Sequence, residues 1–267
     1  MPSTEHPPPI IGLMRRWVLD FFNRHDAAVC REILAPDYAL RIGDHTIAGR
    51  DAQYIPAVQQ QLDQFPGLGM TVHRVLVGQD QIALQFTEHG ASGGAGGRVA
   101  CWSGVALYRC RGSHLVGCVA QEDYMARQRQ LKSGMADPID RPAAAPWDEI
   151  AHAPDLQAEA VVRRWLHQSW PPSARQVVCD DEHVADLTPL AFTVNNAEVT
   201  DIFSSGSSVA FHVRQSGRYL SGLPSLAASA RSTVLYGAGI VTVMDGEVHT
   251  GRVIRDRAGL RRALLAV

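Results

Sequence analysis

The chain contains one sequence pattern twice, and this repeat restricts its fold more than any other feature. The letters MRRWV at Met14–Val18 recur 148 residues later as VRRWL at Val162–Leu166. The copies also end alike, because Asp123 and Asp256, 133 residues apart, each precede a run that ends in an Arg-x-Leu triplet. The pattern predicts two copies of one domain, the second about 15 residues shorter.

Length and composition agree with two soluble domains. The 267 residues suffice for two cores of about 120 residues each. A formal charge of -2 argues against nucleic acid as a partner. No apolar stretch approaches the roughly 20 residues that span a bilayer, so we expect no membrane partner. The Pro-rich N-terminus does not resemble a secretory leader, and we therefore expect a cytoplasmic protein.

The cysteines and the lysine argue against several kinds of site. The five cysteines form no CxxC or CxxH pair, which favours buried reduced thiols over a zinc site or a disulfide framework. The only lysine, Lys132, follows the first copy in a predicted linker, which argues against Schiff-base catalysis.

The first copy, residues 10–131, follows a predicted tail at residues 1–9 and has the pattern of an α+β domain. Apolar spacing predicts a helix from Ile10, and further helices at Ala27–Leu34 and Ala52–Phe65, with a short strand at Tyr38–Ile42 between them. A two-residue period then predicts four antiparallel strands. These strands are Met70–Val77, Gln81–His89, Val99–Arg109 and His114–Gln121. Helices followed by a strand meander indicate a curved sheet covered by helices on one face.

A Pro- and Ala-rich linker is predicted at residues 132–154, and the second copy at residues 155–267. Its predicted helices are Leu156–Trp170 and Ala258–Leu265, and its predicted strands are Phe192–Ile202, Ser208–Arg214, Ser232–Met244 and Val248–Ile254. The missing residues fall where the first copy has its second and third helices. We therefore expect the second copy to have lost part of the lid over its sheet.

Three stretches of the first copy resemble a known family. They are Phe65–Val72, Asp80–Thr87 with Gly90 after it, and the ending from Asp123 to Leu131. In these stretches the chain resembles the SnoaL-like polyketide cyclases, within the cone-shaped superfamily that also holds nuclear transport factor and ketosteroid isomerase. The resemblance covers most of residues 10–131 and is weaker over residues 156–265, where the repeat supports it.

The resemblance implies two tandem α+β cone domains, each with helices packed on a curved antiparallel sheet. It implies a conical pocket that binds a small hydrophobic substrate, with no metal or organic cofactor. It also implies acid/base chemistry such as aldol ring closure, isomerisation, epoxide opening or dehydration. Relatives of this kind often form dimers, so the second copy is expected to supply this contact within one chain as a pseudo-dimer, and a homodimer stays open.

The predicted strand Gln81–His89 offers two acid/base candidates. Strand alternation places Glu88 on one face with Phe86, and His89 on the opposite face. Only one of the two candidates can therefore reach a pocket on the sheet. A carboxylate or imidazole in an apolar cavity is what general acid/base catalysis requires.

Further candidates lie around the same sheet. In the next strand, Trp102 and Tyr108 share a face with small residues, which suits a cavity with a glycine floor and aromatic walls. With Phe86, they are the predicted substrate-contacting residues of the sheet. Tyr54 and Arg41 are candidate hydrogen-bond donors to a substrate.

Glu122, Asp123 and Asp44 complete the catalytic candidates. By the resemblance, the acidic residue of the last strand falls at Ala120, which cannot transfer a proton, so the acids available are Glu122 and Asp123 at the strand end. Asp123 is also a natural N-cap for the final helix, as is its counterpart Asp256. Asp44 lies in a predicted turn near the first strand, where a turn-forming role is the alternative.

Two functions follow. The first is a cofactor-free acid/base enzyme with its site in the first domain. The second is a non-catalytic protein that binds a small apolar ligand or serves in assembly. In the second copy Arg255 replaces Glu122 and Ser216 replaces His89. The second copy is thus expected to be a degenerate partner domain.

Overall fold

The computed structural model describes residues 9–168, 176–184 and 187–266. Most of the predicted tail lies outside these residues, and Pro9 already begins the first helix. The predicted helix end at Trp170 also lies outside them, and the described helix ends at Leu166. Within the described residues, no helix is long and apolar enough to cross a bilayer.

The first domain has a six-stranded sheet with the order β2-β1-β6-β5-β4-β3. The strands are β1 Leu34–Ile42, β2 His45–Ala48, β3 Gly69–Val77, β4 Gln81–Ala91, β5 Val99–Arg111 and β6 His114–Glu122. Strand β1 runs parallel to β6, and all other neighbours are antiparallel. The edge strand β2 was not predicted, because four residues beside a turn are too short to show a period.

The helices of the first domain cover the concave face of this sheet. They are α1 Pro9–Arg16, a π-helical continuation Trp17–Phe22, α2 Ala28–Ile33, a π-helical turn Arg50–Tyr54, α3 Ile55–Gln64 and α4 Tyr124–Ser133. Their apolar stripes pack on the alternate apolar residues of the strands and form one buried cluster, which includes Trp17, Phe21, Tyr54, Leu84 and Tyr108. Burial of this cluster drives the folding of the first domain.

In its described part, the second domain repeats the architecture with fewer elements. They are α5 Leu156–Leu166, β7 Gln176–Cys179, β8 Ala191–Ser205, β9 Ser208–Ser221, β10 Ser232–Met244, β11 Glu247–Arg255 and α6 Arg257–Leu265. The strand order is β7-β11-β10-β9-β8, and β7 runs parallel to β11 as β1 does to β6. Two tandem α+β domains with curved sheets are therefore confirmed.

The prediction of a reduced lid in the second domain falls partly on residues 169–175, which lie outside the described residues. Between β7 and β8, the described residues 180–184 and 187–190 form turns and extended chain, where the first domain has α3. The short strand β7 was not predicted. Among the described residues, helices therefore cover less of the second sheet than of the first.

The outer faces of the two sheets pack against each other. A separate buried apolar cluster crosses this contact and includes Val105 and Leu107 from the first domain and Phe203, Ala238 and Ile240 from the second. Polar pairs border the cluster. The Arg109 guanidinium binds the Asp201 carboxylate at 2.6 Å, the Gln121 amide donates to His212 Nε2 at 3.0 Å, and the Arg74 guanidinium donates to the Ser208 hydroxyl at 2.7 Å. The two sheets of the chain thus contact each other through their outer faces.

The segment between the domains follows the surface of the first sheet. The predicted linker begins at residue 132, but α4 continues to Ser133. The Ala143 N–H donates to the Val72 carbonyl at 2.9 Å, and the Asp155 carboxylate caps α5. The limits of the two domains stay a prediction.

Candidate active site in the first cone

Glu88 and Glu122 lie on the concave face of the first sheet, two strands apart. Glu88 of β4 is opposite Trp102 of β5, and Glu122 of β6 is opposite Gly104 of β5. Since Trp102 and Gly104 are two residues apart on one strand, both glutamates point to the same side. The Glu88 residue is only 3% exposed, and Glu122 is half-buried.

Three side chains hold these carboxyl groups. The Trp102 indole N–H donates to a Glu122 carboxyl oxygen at 3.0 Å and also lies in hydrogen-bonding reach of Glu88. The Gln61 amide of α3 donates to a Glu88 oxygen at 2.6 Å. The Tyr124 hydroxyl is within reach of Glu122. The indole therefore lies between two acids, and α3 is tied to the sheet through one of them.

Arg127, in the first turns of α4, places a cation over this pair. Its guanidinium carbon lies 4.5 Å from the centre of the Tyr124 ring, 5.0 Å from that of Trp102 and 5.6 Å from that of Phe65. Three aromatic faces thus hold a positive charge in place. Such a charge favours an anion in the pair or on a bound substrate.

The environment shifts the pKa of both glutamates upward. Burial raises the pKa of Glu88 well above its usual value, and the charge of Glu122 raises it further, against the opposing effects of Arg127 and Gln61. Burial also raises the pKa of Glu122, while the hydrogen bond from Trp102 and the charge of Arg127 lower it. Two acids in one buried site favour a state in which they hold one proton between them.

The predicted glycine floor is present, but an aromatic ring covers it. Phe86 is opposite Gly104, and a Cβ atom at Gly104 would collide with the Phe86 ring. Phe86 is 3% exposed. This ring therefore occupies the part of the concave face between the two acids and the deeper core.

The other predicted substrate-contacting rings lie in the buried core. Tyr54 accepts a hydrogen bond from the Trp17 indole at 3.1 Å and packs edge-on against Tyr38, with ring centres 4.8 Å apart. The centre of the Tyr108 ring lies 5.4 Å from that of Trp17. Burial raises the pKa of the Tyr54 and Tyr108 hydroxyls well above their usual value, so both stay protonated.

His89 lies on the convex side of the sheet, away from Glu88. Its Nε2 and the Thr71 hydroxyl are joined by a hydrogen bond of 3.0 Å. Burial, and then the neighbouring His73, lower the pKa of His89. The structure does not bring His89 together with the glutamate pair, because alternate residues of a strand face opposite sides.

Asp123 caps a helix and forms an ion pair with the second domain. Its carboxylate accepts from the Ala126 N–H at 3.1 Å and so caps α4, as predicted. It also accepts two hydrogen bonds, of 2.6 and 2.7 Å, from the Arg257 guanidinium of the second domain. Burial raises the pKa of Asp123 to about 6, against the opposing effect of Arg257. Asp123 therefore joins the two domains rather than the cone interior.

Asp44 and Arg41 also lie apart from the glutamate pair. Asp44 is exposed in the turn between β1 and β2, where it pairs with His45 at 3.4 Å. Arg41 lines a groove of about 280 Å³ together with Val119 and with Asp201 of the second domain. The groove is on the outer face of the sheet. The position of Asp44 agrees with the alternative that it forms a turn.

Three residues of the site were not among the sequence candidates: Gln61, Tyr124 and Arg127. Gln61 lies one turn before Phe65 on the buried side of α3. A polar residue on this otherwise apolar side of the helix was the feature of the sequence that could have identified it as a site residue. Tyr124 and Arg127 follow Glu122 in the first turns of a helix capped by Asp123. Capping fixes where the helix begins, so its first turns must lie beside the strand end.

The second domain has no acid pair at the equivalent place. Arg255 ends β11 as Glu122 ends β6, and its guanidinium binds the Asp180 carboxylate at 2.6 Å in a fully buried pair. His212 is held between the Gln121 amide and the Thr200 hydroxyl and so has a structural role in the sheet. Across the described ranges, no group of three or more His, Cys, Asp or Glu side chains has the geometry of a metal site.

Comparison with known proteins identifies the first domain. Residues 14–117 match the family model of the SnoaL-like domain. The first domain is a SnoaL-like domain. The match begins within α1 and ends shortly after β6 begins, so it includes α2, α3 and strands β1 to β5 in full. A comparison with curated proteins gives no match.

Solved structures with a similar arrangement come from several bacteria. One, a proposed SnoaL-like polyketide cyclase from Jannaschia sp. CCS1, has 18% identity and a TM-score of 0.45, and covers 49% of this chain and 99% of its own. Another, IdmH, a proposed polyketide cyclase from Streptomyces antibioticus, has 20% identity and a TM-score of 0.41, with 46% and 98% covered. A third, AclR, a proposed hydroxylase from Streptomyces galilaeus, has 20% identity and a TM-score of 0.41, with 46% and 94% covered.

The SnoaL-like domain match supports a cyclase- or isomerase-type activity in general terms. The glutamate pair, its Trp102 donor and the Arg127 cation lie together on the first sheet, and Glu122 and Arg127 follow the matched residues.

Proposed function

We propose that this protein is an acid/base enzyme of the cyclase, isomerase, dehydratase or epoxide hydrolase type, acting without a cofactor. Its substrate is a small hydrophobic carbonyl or hydroxyl compound bound in the first cone. Glu88 and Glu122 are the proposed catalytic residues. The observation that supports this proposal is the pair itself, two acids with raised pKa that share one indole donor on the concave face.

A pair that holds one proton can supply a base and an acid at once. In an isomerisation, the ionised carboxylate removes a proton from the carbon beside a carbonyl group, and the C–H electron pair forms the double bond of an enol. The carbonyl oxygen takes the proton of the other carboxyl group, which becomes the carboxylate. The two groups exchange their charge, and the reverse transfer to another carbon gives the product with no net uptake of protons.

The neighbouring side chains fit this role. Gln61 and Trp102 fix the orientation of the two carboxyl groups, and Arg127 stabilises negative charge that develops near the mouth of the cone. The proposed roles of Gln61 and Trp102 are positioning roles. Phe65 and Phe86 are buried beside the pair and make this part of the cone apolar, as a hydrophobic substrate requires.

A second function has an observation in its favour. The Phe86 ring over Gly104 and the packed rings of Tyr54 and Tyr108 leave the deep part of the cone filled with side chains. A non-catalytic protein that binds a small molecule at the mouth, or serves in assembly through its pseudo-dimeric fold, has no need of a deep pocket. The raised pKa of both acids favours the enzyme.

Proton abstraction from 5-nitrobenzisoxazole tests the proposal without knowledge of the substrate. This planar apolar compound opens irreversibly when a base removes its carbon-bound proton, and the coloured phenolate product gives the rate. We expect the wild-type protein to accelerate the reaction, and Glu88→Gln and Glu122→Gln each to lower the second-order rate by about 10²-fold or more.

The matched control is Glu247→Gln, which removes an exposed carboxylate from the second domain. We expect this variant to react as fast as the wild type. A wild-type rate no higher than that of free acetate at equal concentration contradicts the enzyme and favours the binding protein. A rate that falls in His89→Ala and not in Glu88→Gln contradicts the assignment of the pair.

A further inference from the structure

A cavity of about 550 Å³ lies between the domains, apart from the first cone. One wall is a stripe of α4 that includes Met125, Arg129 and Lys132, and another is formed by Arg257 and Arg261, one turn apart on α6. Loops of the second domain complete the lining with Leu187, Pro224 and Ser225. This volume is in the range of sites that enclose small molecules.

The charge in this cavity is one-sided. Four basic side chains line it against one acid, Asp181. The Asp181 carboxylate already accepts from Arg257 at 2.6 Å and from Arg129 at 3.1 Å. Arg129 also pairs with Asp137, and Arg257 with Asp123. The charges of these two arginines are therefore compensated by the protein.

Lys132 and Arg261 are not compensated in this way. Arg261 is half-buried, and its Nε has no contact with solvent and no hydrogen-bond partner among the described residues. Lys132, the single lysine of the chain, is exposed at the rim and forms no ion pair within the described ranges. The Arg261 Nε group is closed off from the cavity, but a guanidinium without a carboxylate partner can still bind an anion through its terminal amino groups.

The rest of the lining is apolar. Met125 packs against the buried cluster of the second domain, and Leu187 and Pro224 add aliphatic surface. A ligand that matches both parts needs a single anionic group beside Arg261 and an apolar body along Met125. A free inorganic anion would leave this apolar surface uncovered.

We propose that the cavity between α4 and α6 binds a small amphiphilic carboxylic acid. Its carboxylate pairs with Arg261 and Lys132, and its apolar body lies against Met125, Leu187 and Pro224. The site is formed by both copies of the repeat, so neither domain provides it alone. It is separate from the glutamate pair of the first cone.

Calorimetric titration of the full chain with decanoate tests this proposal. We expect one decanoate per chain, with decanol binding at least about tenfold more weakly because it lacks the charge. Arg261→Gln and Lys132→Gln should each weaken decanoate binding, Arg261→Gln by about tenfold. The exposed position of Lys132 makes its variant informative even if Arg261→Gln folds poorly.

Three controls locate the binding. Arg262→Gln removes the neighbouring exposed cation of α6 and should leave the affinity unchanged. Gln128→Trp, at an exposed lining position of α4, should fill the cavity and abolish binding. Glu88→Gln should have no effect, so this test is independent of the proposed enzyme activity. Absence of decanoate binding, equal binding of decanol, or wild-type affinity in both Lys132→Gln and Gln128→Trp overturns the proposal.

Discussion

Glu88 is the residue on which the proposed chemistry most depends. It is buried beside a second acid, and two neutral donors, the Gln61 amide and the Trp102 indole, replace the water it loses on folding. Neutral donors compensate the desolvation of a charge only in part, so the protonated form is favoured. A buried glutamate of this kind stabilises the folded protein less than a glutamine at the same position would. Such a cost in stability is typical of a functional position.

The first prediction concerns the pH dependence of stability. Because the pKa of Glu88 is higher in the folded than in the unfolded chain, its contribution to stability is complete below its unfolded pKa of about 4.3 and is lost as pH rises through the folded pKa. Glu88→Gln has no such loss. We expect Tm of the variant to exceed that of the wild type more at about pH 8 than at about pH 4, by about 2–4 °C for each kcal/mol regained.

Circular dichroism melts at both pH values measure this difference. Glu247→Gln is the control for the loss of one exposed carboxylate. Parallel Tm curves for wild type and Glu88→Gln across the pH range would mean that Glu88 titrates alike in both states.

At the scale of elements, the end of each domain is built in the same way. A long strand, β6 or β11, runs directly into a helix whose N-cap is an aspartate. The Asp256 carboxylate accepts from the Gly259 N–H at 2.7 Å and so satisfies a backbone donor that the helix leaves open. The strand end and the helix start are therefore fixed relative to each other in both copies.

The second prediction isolates the cap of α6. Asp256→Ala should lower the free energy of unfolding by about 1 kcal/mol, because the Gly259 N–H loses its acceptor. Asp256→Asn should lower the free energy of unfolding by only about a few tenths of a kcal/mol, since the side-chain oxygen of Asn also caps a helix. Urea unfolding of the two variants measures the difference. Equal losses would show that the charge of Asp256, and not its cap, stabilises the helix.

The sequence predicted long elements better than local contacts. Strand alternation separated Glu88 from His89 correctly, but which of them faces the helices depends on how α3 packs on the sheet. The edge strands β2 and β7 are four residues each and were missed. Arg127 was missed because its neighbours, Trp102 and Phe65, come from distant parts of the chain and meet only in the folded domain.

At the scale of the whole molecule, a buried ion cluster holds the two domains together. The Arg257 guanidinium of α6 binds Asp123 of the first domain and Asp181 of the second, each at 2.6 Å, and lies 3.3 Å from Asp180. The cluster supplements the apolar contact between the two sheets. We propose that this contact is the role of the second copy, which needs no site of its own for it.

The third prediction removes the centre of this cluster. Arg257→Gln leaves buried aspartates without their cation and should lower the free energy of unfolding by about 3–5 kcal/mol. Arg262→Gln, on the exposed side of the same helix, should change it by less than about 0.5 kcal/mol. Denaturant unfolding at neutral pH compares the two. Similar values for both variants would show that the cluster adds nothing beyond the packing of the sheets.

The central claim is that Glu88 and Glu122 act as one coupled acid pair in the cone. Carbon-13 NMR of the glutamate carboxyl groups, followed against pH in the wild type and in each Glu→Gln variant, measures this directly. We predict that Glu88 keeps its proton well above the range of an ordinary glutamate, and that Glu122→Gln lowers the pKa of Glu88 because a neighbouring negative charge is gone. The account would be contradicted if both groups titrated in the wild type with the pKa of an ordinary glutamate, and if loss of either one left the pKa of the other unchanged.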